Sequence, residues 1–137
     1  MKAVASFCLL CAALLYATVC LAGGNVNSDW SSAGFNNFDA SHWMLDGFTD
    51  ASRAKLWRDA GFSSAKAKGW EKRHFSPKEA GEWIEAGVRK AKYAKKLRRY
   101  GVTPETFKKW KEKGYTNAKE VAALAKKGVT LDDAPLK

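Results

Sequence analysis

Cysteine is confined to the start of the chain, where Cys8, Cys11 and Cys20 are the three present. If that segment is removed on export, the remainder can form neither disulfides nor thiolate metal sites, and its stability has to come from packing. Histidine is equally scarce, with His42 and His74 two repeats apart. A zinc-binding histidine pair is therefore missing, as are a glycine-rich phosphate loop after a strand and a nucleophile elbow. Metal, cofactor and enzyme chemistry are not expected. No Asn-x-Ser/Thr triplet occurs either, so glycosylation does not identify the export route.

The one long apolar run lies at the beginning. Lys2 supplies a positive start, residues 3–15 are almost wholly apolar, and small residues follow, which is the pattern of a secretory signal peptide cleaved after Ala22. As a membrane anchor the run would be barely long enough, and it lacks flanking positive charge. Ala17, Thr18 and Val19 before Cys20 fit a lipidation motif poorly. The protein is thus expected to be secreted or periplasmic, with residues 1–22 as leader, 23–28 as flexible linker, 29–130 as the folded domain and 131–137 as tail.

Acidic residues are few where basic ones gather. Residues 53–127 hold 22 basic against 8 acidic side chains, a net charge of +14 within a chain of net +10. Such a field favours anionic partners.

What the sequence has in plenty is tryptophan at a fixed interval. Trp30, Trp43, Trp57, Trp70 and Trp83 are 13 or 14 residues apart, and Leu97, Trp110 and Leu124 continue the series. Four residues after each anchor stands Gly34, Gly47, Gly61, His74, Gly87, Gly101, Gly114 or Gly128. An apolar or aromatic residue follows, from Phe35 through Val129, and then a small polar residue in every copy but one, where Arg89 stands.

Each type has a physical reason. A glycine in the left-handed conformation ends a helix, and the apolar residue after it folds back on the last turn. The next Asn, Ser or Thr caps the following helix by accepting from first-turn amides. Pro77 and Pro104 fall at the first helical position, where a missing amide costs nothing. Ser76 and Glu79 have the spacing of a capping box. Three residues before each anchor except Trp30, where Asn27 stands, Ala40, Ala54, Ala67, Ala80, Ala94, Phe107 and Val121 complete a narrow apolar stripe.

The expected fold is all-α, a tandem array of about eight one-helix repeats of 13 or 14 residues, either solenoid-like or a compact bundle. Helices this short are marginal alone and must stack. Six or seven helices of about 8 to 11 residues are expected between Asp39 and Lys127, with no strand. The first copy sits in a stretch rich in glycine, asparagine and serine, so a frayed end is expected there, and residues 130–133 start a unit that is not completed.

The tryptophans could stack on sugars or bases, but their regular place on the last helical turn reads as core. Trp30 is the exception the pattern allows, because its copy is the weakest. Glu79, Glu82 and Glu85 are accounted for by capping and by helical ion pairs rather than acid-base chemistry.

The remaining signal is the stretch 89–100, in which seven of twelve residues are basic and two are tyrosine. Its apolar stripe of Ala91, Ala94 and Leu97 is too thin for bilayer insertion. Arg89 takes the place of a capping hydroxyl, and positive charge crowds a helix start whose dipole is already positive. Departures from local consistency tend to mark functional sites. The candidate polyanion-binding residues are therefore Arg89, Lys90, Lys92, Lys95, Lys96, Arg98 and Arg99, extended by Lys108 and Lys109, with Lys111 and Lys113 on the same helix if it exposes one side. The expected partner is nucleic acid, an acidic glycan or an anionic surface; the alternative is a secreted effector or envelope scaffold that binds proteins.

Overall fold

The computed structural model describes residues 26–137. The expected signal peptide and its cysteines lie outside the described residues. The described chain is all-helical and contains α1 (Val26–Ser32), α2 (Asn37–Leu45), α3 (Ala51–Asp59), α4 (Ser64–Glu71), α5 (Pro77–Glu85), α6 (Ala91–Arg99), α7 (Pro104–Glu112) and α8 (Ala118–Lys126). The seven helices α2 to α8 have eight or nine residues, within the expected number and length, and an eighth, of seven residues, precedes them. The extra helix is α1, which begins within the stretch read as linker. Trp30 is not exposed for stacking; it is 2 % accessible, because Phe35 folds back on it with ring centroids 5.0 Å apart. The other five tryptophans are buried as well.

Every helix ends in the same way. After Trp30, the Phe35 amide donates to the Trp30 carbonyl at 2.9 Å and the Gly34 amide to Ser31 at 2.9 Å. That pair of bonds is the Schellman stop, and it satisfies carbonyls that the last turn would otherwise leave free. The other seven anchors repeat both bonds, down to Val129 on Leu124 at 3.1 Å and Gly128 on Ala125 at 3.0 Å. All seven stop glycines have positive φ, and His74 takes +61° in the eighth copy. The residue after the stop meets its anchor edge to face in Trp43–Phe48, Trp57–Phe62, Trp70–Phe75 and Trp110–Tyr115, with centroids 4.8 to 5.2 Å apart.

The starts of the helices are of two kinds, and here the sequence expectation needs correction. Where anchors are 13 residues apart, the small polar residue directly after the apolar one is the cap: Asn36, Ser63, Ser76 and Thr103 have ψ between 157° and 167°. Where the spacing is 14, the cap moves on by one to Asp50, Lys90 and Asn117, with ψ between 110° and 116°. Thr49, Arg89 and Thr116 are thus the extra corner residues and not caps. Asp50 accepts from the Ser52 amide at 2.8 Å and Asn117 from Lys119 at 2.9 Å. The expected capping box forms, with Glu79 accepting from the Ser76 amide at 2.8 Å and Ser76 Oγ from the Glu79 amide at 3.2 Å. The Ser76 amide, then its hydroxyl and the nearby Arg98 charge, hold the Glu79 carboxyl below its usual range.

The main helix contacts join neighbours or helices two apart, such as α1 with α3, α2 with α4 and α6 with α8. A basic residue just after the anchor fastens several of these two-unit steps. Arg58 donates to the carbonyls of Gly34 and Ala33 at 2.8 and 3.0 Å, with its guanidinium 4.1 Å from the Phe35 ring centre. Arg98 does the same on His74 and Arg73, at 3.2 and 3.1 Å, over Phe75 at 4.0 Å. Lys111 reaches the Ala86 carbonyl at 3.1 Å. Each places a cation at the negative end of a helix dipole, and the two arginines add a cation–π contact.

Residues 130–137 also join the array. Thr130 Oγ1 accepts from the Asp133 amide at 3.3 Å, Ala134 is buried at the small-residue position, and the Lys137 amide donates to the Lys113 carbonyl at 3.0 Å. Lys113 in turn holds the carbonyls of Leu131 and Ala134 at 2.6 and 2.9 Å.

Gly87 tests the stop directly. Its φ is +103°, and an added Cβ would lie 3.2 Å from Lys111 Nζ. Gly87→Val is expected to destabilise the fold by more than about 1 kcal/mol, and Trp83→Ala by about 3 to 5 kcal/mol through lost core contacts. Equilibrium denaturation reads both; wild-type midpoints would mean that neither stop nor anchor carries the fold.

Candidate polyanion interface

Helix α6 buries Ala91, Ala94 and Leu97, packs a half-buried Tyr93 against the core and turns its basic residues outward. Because those three residues fill one stripe of the helix, Lys92, Lys95, Lys96 and Arg99 are left exposed along its length. Arg89 and Lys90 precede them at the corner, also exposed. Lys108 and Lys109 lie exposed on α7.

Not all candidates are free. Arg98 spends its guanidinium on the His74 and Arg73 carbonyls and lies 3.7 Å from Glu79, so it fastens α6 to the end of α4. Lys111 and Lys113 likewise hold backbone carbonyls and do not extend an open patch. Such pairings span 18 to 25 residues, a distance at which local pattern carries no signal. By contrast the side chains of Arg89, Lys90, Lys95, Lys96, Arg99 and Lys109 make no hydrogen bond or ion pair among the described residues.

Arg89 and Lys90 form a ridge between two clefts. On one side a cleft of 390 Å³ is lined by Arg89, Lys90, Tyr93, Thr116 and Asn117. On the other, a cleft of 260 Å³ brings Arg89, Lys90 and Lys92 together with Lys66 and Arg73 of the α4 unit. Lys66 and Arg73 were not among the sequence candidates. Their relation to α6 follows from the two-unit step of the array, which the period alone does not reveal.

The cap of α6 is anomalous when set against its own siblings. Lys90 has φ −110° and ψ 116°, close to the −110° and 114° of Asp50. In that conformation Asp50 and Asn117 turn an oxygen onto the first-turn amides. Lys90 can only donate, so it makes no side-chain cap, and the first turn of α6 contains no acidic residue. The chain thus forgoes a cap worth roughly 0.5 to 2 kcal/mol and adds cations at the positive end of a dipole.

Neither histidine is among the residues that line the two clefts. His74 is a helix stop, and His42 meets the exposed Phe38 ring at 4.5 Å. No helix among the described residues is long and apolar enough to cross a membrane.

Lys90→Asp is expected to raise stability by about 1 kcal/mol, because the carboxylate restores the cap seen at Asp50 and complements the dipole. The same change should weaken polyanion binding. Paired denaturation and binding titrations check it; a variant that is no more stable than wild type would show that the cap site is not deprived.

No protein-family model, curated protein or solved structure matches this chain.

Proposed function

We propose that this is an exported, non-catalytic repeat protein whose basic face binds a polyanion: nucleic acid, an acidic glycan or an anionic surface. The observation that carries this reading is the α6 unit, where unpaired cations line an exposed helix and a lysine occupies a capping position that an oxygen would stabilise. The buried tryptophans support recognition by charge rather than by stacking on aromatic faces. Arg89, Lys90, Lys92, Lys95, Lys96 and Arg99 are the residues assigned to contact, with Lys108 and Lys109 as outliers on α7. Arg98 is assigned to holding the helix in place.

A protein-binding scaffold is the second reading, favoured by a different observation. Phe38 and Leu45 on α2 are 72 % and 81 % exposed and, seven residues apart with His42 between them, share one helical face. An apolar stripe of that kind suits a protein partner, and recovery of such a partner in high salt would favour this reading.

Binding to heparin or duplex DNA should weaken steeply with salt, since neutralised anions release counterions; about six contacts would lower affinity by roughly 10³ between 50 and 200 mM salt. Titration by fluorescence anisotropy at several salt concentrations gives the slope. Affinity independent of salt would refute polyanion binding.

A further inference from the structure

The cleft between the α4 unit and the start of α6 has a counterpart in the same molecule. Two units separate α4 from α6, and two units separate α1 from α3. Between α1 and α3 lies a cleft of 590 Å³ lined by Asp29, Trp30, Thr49, Asp50, Ser52 and Lys55, among others. Residue by residue the repeat superposes Trp30 on Trp70, Ala33 on Arg73, Thr49 on Arg89, Asp50 on Lys90 and Ser52 on Lys92. The backbone element is the same, and the chemistry is inverted.

In the α1–α3 cleft the wall carries two carboxylates and one lysine, and Asp50 is occupied with the Ser52 and Arg53 amides. In the α4–α6 cleft the wall carries Lys66, Arg73, Arg89, Lys90 and Lys92 and no carboxylate. Five like charges around 260 Å³ repel one another, and nothing in the lining offsets them. Arg73 is fixed in the wall by an Nη1 bond to the Gly69 carbonyl at 2.8 Å, which leaves its other N–H donors to the cleft. Trp70 is 3 % accessible, so the wall has no open aromatic face. Recognition there must come from charge and N–H donors.

We infer that the α4–α6 cleft is a discrete site for a tetrahedral oxyanion, a phosphate or sulfate group. Two guanidiniums offer forked donation to paired oxygens, and three ammonium groups add point charge. The cleft is smaller than the roughly 300 to 1,000 Å³ of drug-sized ligand pockets, which suits a small anionic group rather than a large flat ligand. The inference rests on the polyanion reading and adds to it: one group of the polymer seats in this cleft, while Lys95, Lys96 and Arg99 meet its continuation. A short anion should therefore bind without the polymer.

The test is isothermal titration of the full mature chain with sodium tripolyphosphate, with a sulfated heparin tetrasaccharide and with a short polyglutamate. One tripolyphosphate should saturate each chain, and the double variant Arg89→Gln/Lys92→Gln should weaken it by about tenfold or more. Lys66→Gln, two units away in sequence, should weaken it in the same direction. Lys126→Gln/Lys127→Gln removes equal charge at exposed positions outside the cleft and outside the assigned contact residues, and should leave it within about twofold. Tripolyphosphate binding tighter than the tetrasaccharide marks a phosphate site, the reverse order marks a sulfate site, and tightest binding of polyglutamate would overturn the oxyanion assignment. Denaturation midpoints confirm that each variant is folded. Equal losses in the cleft and control variants, or no saturation by tripolyphosphate or the tetrasaccharide while long heparin still binds with a salt slope, would overturn the cleft and leave the broader reading standing. No binding of heparin or DNA at any salt would overturn both.

Discussion

The structure depends on one constraint, that the residue four after each anchor can adopt a left-handed backbone. With that residue in place, the last carbonyls of the helix find partners within the corner, and the next side chain is directed back onto the anchor. The apolar residue then serves twice, because it also precedes the next helix: Phe35 meets both Trp30 and Trp43, at 5.0 and 6.0 Å. Helices of seven to nine residues would fray if isolated. Joined by such corners, each inherits a fixed direction and a shared hydrophobic contact with its neighbour. His74 shows that the requirement is for the conformation rather than for glycine itself, since it holds φ +61° with the same two backbone bonds.

Above the corner, the array acts over two units. Arg58 and Arg98 bind the carbonyls of a helix end two units earlier and cover the aromatic residue beside it. Contacts of this limited range make the fold nearly one-dimensional, so a surface in one unit can change without disturbing the others. The two equivalent clefts illustrate the consequence, with Asp50 in one and Lys90 in the other. A common scaffold supports local chemistry of opposite sign, and the basic half acquires its character without any change of backbone plan. In α6 the stability of a capped start has given way to exposed charge.

The helix stops and anchors were legible in the sequence because both belong to a single turn of backbone, and their spacing is visible in the chain. The caps were only partly legible. Thr49, Arg89 and Thr116 look like caps by alignment from the preceding glycine, whereas the structure counts back from the next anchor and places the caps at Asp50, Lys90 and Asn117. An inserted residue is absorbed in the corner, and alanines at Ala51 and Ala91 bury the first helical position. Trp30 gave the opposite difficulty: a weak surrounding composition concealed a complete stop. The candidate site was legible as a basic segment but not as a place, because Lys66 and Arg73 join Arg89, and Arg98 leaves the patch, through contacts between units. Those contacts depend on how units two apart pack against each other, which no local periodicity specifies.

Native-state hydrogen exchange resolved by residue addresses the corner most directly. The account predicts that the amides of Phe35, Phe48, Phe62, Phe75, Val88, Val102, Tyr115 and Val129, each bonded to its anchor carbonyl, are protected to the same degree as amides inside the adjoining helices, since corner and helix open together. Exchange of these eight amides at the rate of exposed loop positions, with the helices still protected, would contradict the claim that the corner is the unit on which the fold is built.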